Sequence, residues 1–138
     1  MAMSDAEKQA LKETMAERAK ARKKMTPEQL EQEVVDKIAA MAPADRALGE
    51  KVHALVKKVA PGLQAKTWYG MQAYCDDAGK TVVFFQDSGK FKARYSTLGF
   101  QDAANLDEDQ IWPTSFALIG WNAKVEKQIE ALINKAIS

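Results

Sequence analysis

The run QAKTWYGMQAYCDDAGKTVVFFQDSGKFKARYSTL, residues 64–98, decides the fold class of this chain. It is rich in aromatic and β-branched residues, and two turn motifs, DDAG at 76–79 and DSG at 87–89, divide it into segments of strand length. Consecutive strands that are joined by short turns run antiparallel. The run therefore predicts an antiparallel β-meander. We expect its strands at 64–75, 81–86 and 90–98.

Helical patterns lie on both sides of this predicted sheet. In each of them apolar residues recur every three or four positions, which is the spacing of one helix face. The helices are expected at 27–42, 44–59 and 122–137. A polar segment at 101–111 precedes a fourth strand expected at 115–119. The chain is therefore predicted to be an α+β domain with helices packed on one face of an antiparallel sheet.

The first 25 residues are predicted to be a charged helical extension to a single domain at 26–138. Within residues 4–24 the only large apolar residues are Leu11 and Met15, so we expect a helix that packs weakly, although it could mediate self-association. The basic run at 18–24 is interpreted as a solvated helix end rather than a phosphate contact, because it is short and contains no aromatic residue.

Local motifs predict where two of the helices begin. Thr26 is followed by Pro27 and, three positions on, by Gln29, which is typical of a capping box with proline in the first turn. Asn122 precedes the last apolar stripe and is expected to cap that helix.

The composition is typical of a soluble globular domain. Of the 138 residues, 46% are apolar and 28% are charged, and the formal net charge is +1. We therefore expect neither nucleic acid nor a membrane as a partner. The single cysteine cannot form an internal disulfide, and the charged N-terminus lacks the apolar core of a signal peptide. These features predict a cytoplasmic protein.

The residues available for catalysis are few. Cys75 is the sole thiol and His53 the sole imidazole, and no local signature of a Cys–His pair accompanies them. The sequence has no glycine-rich phosphate loop, HExxH motif or paired CxxC motif. We predict that the protein is not an enzyme.

The segment KTWYGMQAYCDD at 66–77 is the best candidate for a ligand site. If it forms one regular strand, Trp68 and Tyr74 share a face, and amphipathic aromatic side chains are typical of recognition surfaces. Gly70 would allow a close approach of the ligand, and nearby cations favour an anionic or carbonyl-bearing molecule. The predicted ligand-binding residues are Lys66, Trp68, Tyr69, Gly70, Tyr74, Arg94 and Trp112. The alternative is that these aromatic residues belong to the core.

A metal site is the second candidate. Asp107, Glu108 and Asp109 form an acidic run whose oxygen atoms suit a hard cation. Ferrous iron would bind there weakly, and before His53 or Cys75. The alternative interpretation is that acidic residues occur in loops for local hydrogen-bonding reasons.

Three motifs in order, at 66–74, 82–100 and 112–118, followed by an amphipathic helix, resemble the YdhG-like domains of unknown function. That bacterial family includes a protein described as a frataxin-like iron chaperone. The resemblance covers about 35–138 and implies a compact α+β domain, without established catalytic residues. Gln72 stands where the family usually has proline. The predicted function is a small-ligand binding or interaction domain without an assigned cofactor; the alternative is an iron-binding chaperone.

Overall fold

The structure, a computed structural model, describes residues 4–21 and 25–138. Three helices precede five strands, and a fourth helix follows the last strand. The elements are α1 (Asp5–Ala21), α2 (Pro27–Ala39), α3 (Pro43–Val59), β1 (Gln64–Trp68), β2 (Met71–Cys75), β3 (Thr81–Gln86), the 3-10 turn Ser88–Lys90, β4 (Ser96–Phe100), β5 (Ser115–Leu118) and α4 (Ala123–Ile137). None of the helices in the described ranges has the length and apolar character needed to cross a membrane.

The five strands form one sheet in the order β1-β2-β3-β4-β5, and each neighbouring pair is antiparallel. Helix α2 packs on β1 and β2, while α4 packs on α3 and β3. The predicted α+β class, with helices flanking an antiparallel sheet, is therefore confirmed.

The core lies between the helices and one face of the sheet. Its fully buried members come from both layers, and a helix face of period 3.6 meets a strand face of period 2. Among them are Val34, Val52, Val56, Tyr74, Val83, Phe85, Leu98 and Ile133.

Both predicted helix starts are confirmed. Thr26 and Gln29 form a reciprocal capping box, in which each side chain accepts a hydrogen bond from the other residue's backbone N–H. At the start of α4, Asn122 Oδ1 accepts the N–H of Val125 at 2.8 Å.

The single strand predicted at 64–75 is wrong, because Tyr69 and Gly70 form a two-residue hairpin turn. Both have positive φ angles, 50° and 74°, as the turn that suits the right-handed twist of a hairpin requires. Trp68 is paired with Met71, and Ala65 with Tyr74. Since paired residues share a face, Trp68 and Tyr74 lie on opposite faces of the sheet, not on the same face.

The strand predicted at 90–98 is also wrong in its first half. The chain forms a 3-10 turn at Ser88–Lys90 and an irregular segment up to Tyr95, and β4 begins only at Ser96. Lys92 has a φ of 54°, which interrupts an extended chain. Arg94 therefore lies on an exposed connection rather than on a strand.

The described side chains of helix α1, those up to residue 15, contact the rest of the protein mainly through small residues. Ala6 and Ala10 are half-buried and Thr14 is buried, whereas Leu11 and Met15 are 51% and 62% exposed. Burial of so little apolar area stabilises the contact only weakly. The basic run predicted at 18–24 falls outside the described side chains, and the domain boundary predicted at residue 25 remains a prediction.

Candidate functional site

A cavity of about 380 Å³ lies where α1, the end of α2, the β1–β2 turn and the β3–β4 connection meet. The two connections occupy the same end of the sheet because the strands of a meander alternate in direction. The charged and glycine residues that line the cavity are Glu13, Lys37, Gly70, Asp87, Gly89 and Lys90.

The carboxylate of Glu13 occupies this cavity between two ammonium groups. Lys37 Nζ donates to Oε1 at 2.9 Å, and Lys90 Nζ donates to Oε2 at 3.0 Å. Gln9 Nε2 also donates to Oε1, at 3.1 Å. The side chain of Lys90 is only 9% exposed and that of Glu13 is 19% exposed. Each carboxylate oxygen thus accepts a charge-assisted hydrogen bond from a different element of the fold.

Gly70 permits the carboxylate to lie against the hairpin turn. A Cβ atom at this position would overlap Glu13 Oε2 and would lie 2.6 Å from Lys90 Nζ. The φ angle of Gly70 is 74°, a conformation that glycine adopts without steric cost. The turn that creates the hairpin therefore also makes space for an anion.

Asp45, in the first turn of α3, holds the connection that carries Lys90. It is 7% exposed. Its Oδ1 accepts the hydroxyl hydrogen bonds of Ser88 at 2.7 Å and Ser96 at 3.2 Å, and Oδ2 accepts the N–H of Gly89 at 3.1 Å. A carboxylate near a helix N-terminus is favoured by the helix dipole. Because these bonds join α3 to the 3-10 turn, the backbone next to Lys90 is fixed independently of α1.

The electrostatics of the cavity favour a negative group beside the lysines. Burial tends to raise the pKa of Glu13, but the hydrogen bonds from Lys37, Gln9 and Lys90 outweigh it and leave that pKa below its usual value. Asp87 shows the opposite balance, because burial and the nearby charge of Asp45 raise its pKa. The cations thus stabilise the Glu13 carboxylate in its charged form more than that of Asp87.

Tyr74, which was predicted to bind a ligand, lies in the core. It is 1% exposed, and its hydroxyl lies 2.8 Å from His53 Nδ1 and accepts from Gln72 Nε2 at 3.0 Å. Burial raises the pKa of the Tyr74 phenol. Gln72 Nε2 also donates to the Gly49 carbonyl at 3.1 Å, while Gln72 Oε1 has no hydrogen-bond partner among the described residues. For this tyrosine the structure matches the alternative interpretation, a core residue with a bonded polar tip.

Three of the other predicted residues are neighbours at the hairpin. Trp68 and Tyr69 are in edge-to-face contact, with ring centroids 4.9 Å apart, immediately before Gly70. Trp68 also contacts Phe84, at 5.2 Å between centroids. Tyr69 is 45% exposed, so aromatic surface remains accessible beside the cavity.

The remaining predicted residues lie elsewhere. Lys66 Nζ donates to the Gly79 carbonyl at 3.4 Å at the other end of the hairpin. Arg94 lies 5.4 Å from the ring centroid of its neighbour Tyr95. Trp112, in the segment between β4 and β5, packs against the core cluster. Gly70 is thus the one predicted ligand-binding residue that lines the 380 Å³ cavity.

Cys75 and His53 have different partners. The thiol is buried, lies 3.7 Å from Thr81 Oγ1, and has a pKa that burial raises. His53 contacts Tyr74 and lies 3.7 Å from Glu31 through Nε2. A raised thiol pKa disfavours the reactive thiolate.

The acidic run predicted to bind iron is exposed and partly engaged. Glu108 accepts a hydrogen bond from Lys135 Nζ, which lowers the pKa of its carboxyl group. Asp107 and Asp109 are also exposed. Within residues 4–21 and 25–138, no group of three or more His, Cys, Asp or Glu side chains is placed to hold a metal ion.

Sequence reasoning missed the residues that form the cavity. Lys37 and Lys90 are 24 and 77 residues from Glu13 along the chain. No local sequence motif indicates a contact between residues that far apart. The sequence marks Asp45 as an acid in the first turn of a predicted helix, whereas its burial depends on the β3–β4 connection.

Comparison of the chain with protein-family models, with curated proteins and with solved structures gives no match. The resemblance to YdhG-like domains therefore stays a prediction from the sequence motifs.

Proposed function

We propose that this protein is a non-enzymatic binding domain for a small molecule that carries a carboxylate or a comparable anionic group. The anionic group binds between Lys37 and Lys90 and against Gly70. The observation that carries the proposal is the convergence of two ammonium groups from different elements on one carboxylate, at a glycine where a Cβ would block it.

The burial of Lys90 supports this assignment. An ammonium group that is 9% exposed requires an anionic or strongly polar partner, because an unpaired charge is costly to remove from water. Asp45 holds the turn next to Lys90 through Ser88 and Gly89, so the cation is positioned before any ligand arrives. Such preorganisation reduces the entropy that binding would otherwise cost.

The aromatic pair beside the cavity supplies contact area for the rest of a ligand. Trp68 and Tyr69 precede Gly70 directly, and Tyr69 keeps nearly half of its surface accessible. Rings of this kind contribute apolar area at low entropic cost and can donate or accept a hydrogen bond.

A larger cavity, of about 470 Å³, lies between α2 and the end of α3. Its charged groups include Glu31 and Lys57, which bond to each other at 2.6 Å. Glu28 lines the same cavity, so its lining carries two acidic side chains and one basic side chain, which does not favour an anionic ligand.

The test is a titration of the full chain and of its Glu13→Ala variant with acetate, glutarate, citrate and inorganic phosphate. Binding is followed by the melting temperature and by amide NMR shifts. At a ligand concentration of 100 times Kd, the free energy of unfolding should rise by about 2.7 kcal/mol. Lys37→Met and Lys90→Met should weaken binding at least tenfold, whereas the exposed control Lys127→Met should not. Absence of binding to both full-length proteins would refute the proposal.

A further inference from the structure

We infer that helix α1 is an internal competitor of the ligand, with Glu13 as a stand-in for the ligand's carboxylate, so that an incoming anion must displace α1 in order to bind. The inference rests on the proposed function of the same site. The group that lies between Lys37 and Lys90 is a carboxylate of the chain itself, that of Glu13.

The cavity is built by parts of the protein other than α1. Lys37 belongs to α2, Gly70 to the β1–β2 turn, and Lys90 to the turn that Asp45 holds. These elements are joined through the sheet and α3. Removal of the Glu13 side chain would therefore leave the two ammonium groups and the space beside Gly70 in place.

The contact of α1 with this site is suited to reversible release. Among the described side chains of α1, those up to residue 15, the face that meets the protein consists of Ala6, Ala10, Glu13 and Thr14, while the large apolar residues Leu11 and Met15 point to solvent. Small side chains bury little apolar area, so the hydrophobic contribution to docking is small. What specifies the docked position is the carboxylate of Glu13.

The charges also favour exchange of one anion for another. With Glu13 in place, two ammonium groups face the carboxylates of Glu13 and Asp87. Without Glu13, Lys37 and Lys90 lose the carboxylate that pairs with both of them, and Asp87 is the remaining acidic residue that lines the cavity. A ligand carboxylate restores the same pairing, so the energetic cost of releasing α1 is offset by equivalent hydrogen bonds.

With such a competitor, the apparent affinity for the ligand equals the affinity of the open site multiplied by the fraction of molecules in which the site is open. The Glu13→Ala variant should therefore bind glutarate more tightly than the original chain, by on the order of tenfold. The matched control is Glu7→Gln, which changes an exposed acid in the first turn of the same helix and should leave the affinity unchanged.

A second measurement uses the unaltered protein and does not depend on a variant. Saturating glutarate should accelerate amide hydrogen exchange in residues 8–15 of α1, because the helix loses its docking partner, while α3 keeps its protection. Binding that leaves α1 protected would overturn the inference.

The outcomes separate the inference from the proposed function. Equal affinity of glutarate for the Glu13→Ala variant and the original chain would overturn the inference, and the proposed function would then be decided separately by whether Lys37→Met and Lys90→Met weaken binding. Absence of glutarate, acetate, citrate and phosphate binding to both proteins would refute the proposed function, and the inference with it.

Discussion

The Gly89 N–H donates a hydrogen bond of 3.1 Å to Asp45 Oδ2, joining α3 to the β3–β4 connection across 44 residues of chain. Ser88 and Ser96 donate to the other oxygen of the same carboxylate. This single buried group fixes both ends of the irregular segment between β3 and β4. The position of Lys90 in the cavity depends on it.

We predict that Asp45→Asn lowers the free energy of unfolding by about 1–3 kcal/mol, because the amide replaces one acceptor by a donor that faces other donors. Anion binding at Lys90 should weaken in the same variant, since the turn loses its anchor. Urea denaturation measures the first effect and glutarate titration the second. The control is the exposed Asp102→Asn. If Asp45→Asn is as stable as this control, Asp45 does not hold the connection.

Gly70 and Gly79 provide a matched pair for testing the contact with Glu13. Both have positive φ angles, 74° and 80°, but a Cβ at Gly79 would meet nothing within 4 Å. Gly79→Ala should cost about 1–2 kcal/mol from backbone strain alone. Gly70→Ala should cost more, because its methyl group also displaces the Glu13 carboxylate.

A double-mutant cycle in urea denaturation isolates that extra cost. Glu13→Ala should recover part of the stability lost in Gly70→Ala, and it should recover none of the loss in Gly79→Ala. Equal losses at the two glycines, with no recovery, would mean that Gly70 serves the turn alone.

The sequence predicts structural features that depend on neighbouring residues. It does not predict features that depend on contacts between residues far apart in the chain. The capping box of Thr26 and Gln29 lies within four positions, and its geometry is as predicted. The hairpin at 64–75 was not predicted because Tyr69-Gly70 is not one of the Asn-Gly or Asp-Gly pairs that mark a two-residue turn in a sequence. The two residues that flank such a turn face the same side of the sheet, whereas in one continuous strand they would face opposite sides. The pairings of Trp68 with Met71 and of Ala65 with Tyr74 reveal this.

Of the residues in the candidate site, the sequence predicts only Gly70, because its signal depends on neighbouring residues. Gly70 stands out locally, because a glycine between aromatic residues indicates a turn or a close approach. The partners of that glycine, Glu13 and Lys90, are brought there by tertiary packing. Neither has a distinctive neighbourhood in the sequence.

The stability of the protein should fall as the pH is lowered below about 6.5, the usual pKa of histidine. Burial lowers the pKa of His53, although the charge of Glu31 opposes this. The unfolded chain therefore binds a proton at His53 before the folded protein does, and stability is lost as the pH falls toward the lowered folded pKa. Asp87, whose pKa is raised by burial, contributes with the opposite sign.

Urea denaturation between pH 7.5 and pH 5.5, about one unit either side of that value, measures the effect. His53→Gln should remove the loss of stability on acidification. An unchanged slope in the His53→Gln variant would assign the dependence to other groups.

Ferrous iron, if it binds, should bind weakly at the acidic run. Replacement of Asp107, Glu108 and Asp109 by Asn, Gln and Asn should abolish binding and leave the fold intact, because all three side chains are exposed. Anaerobic calorimetry measures the affinity, and Cys75→Ser serves as the control. Sub-micromolar binding that survives the triple substitution would contradict the assignment.

Deletion of residues 1–24 should lower the free energy of unfolding by roughly 1 kcal/mol or less. Leu11 and Met15 are exposed, so the deletion exposes little additional apolar surface. The main loss is the pairing of Glu13 with Lys37 and Lys90, and a bound anion can replace it. Glutarate should therefore stabilise the truncated protein more than the full chain in urea denaturation. A loss of several kcal/mol that glutarate does not restore would mean that α1 is an integral part of the folded core or of a contact with a second copy.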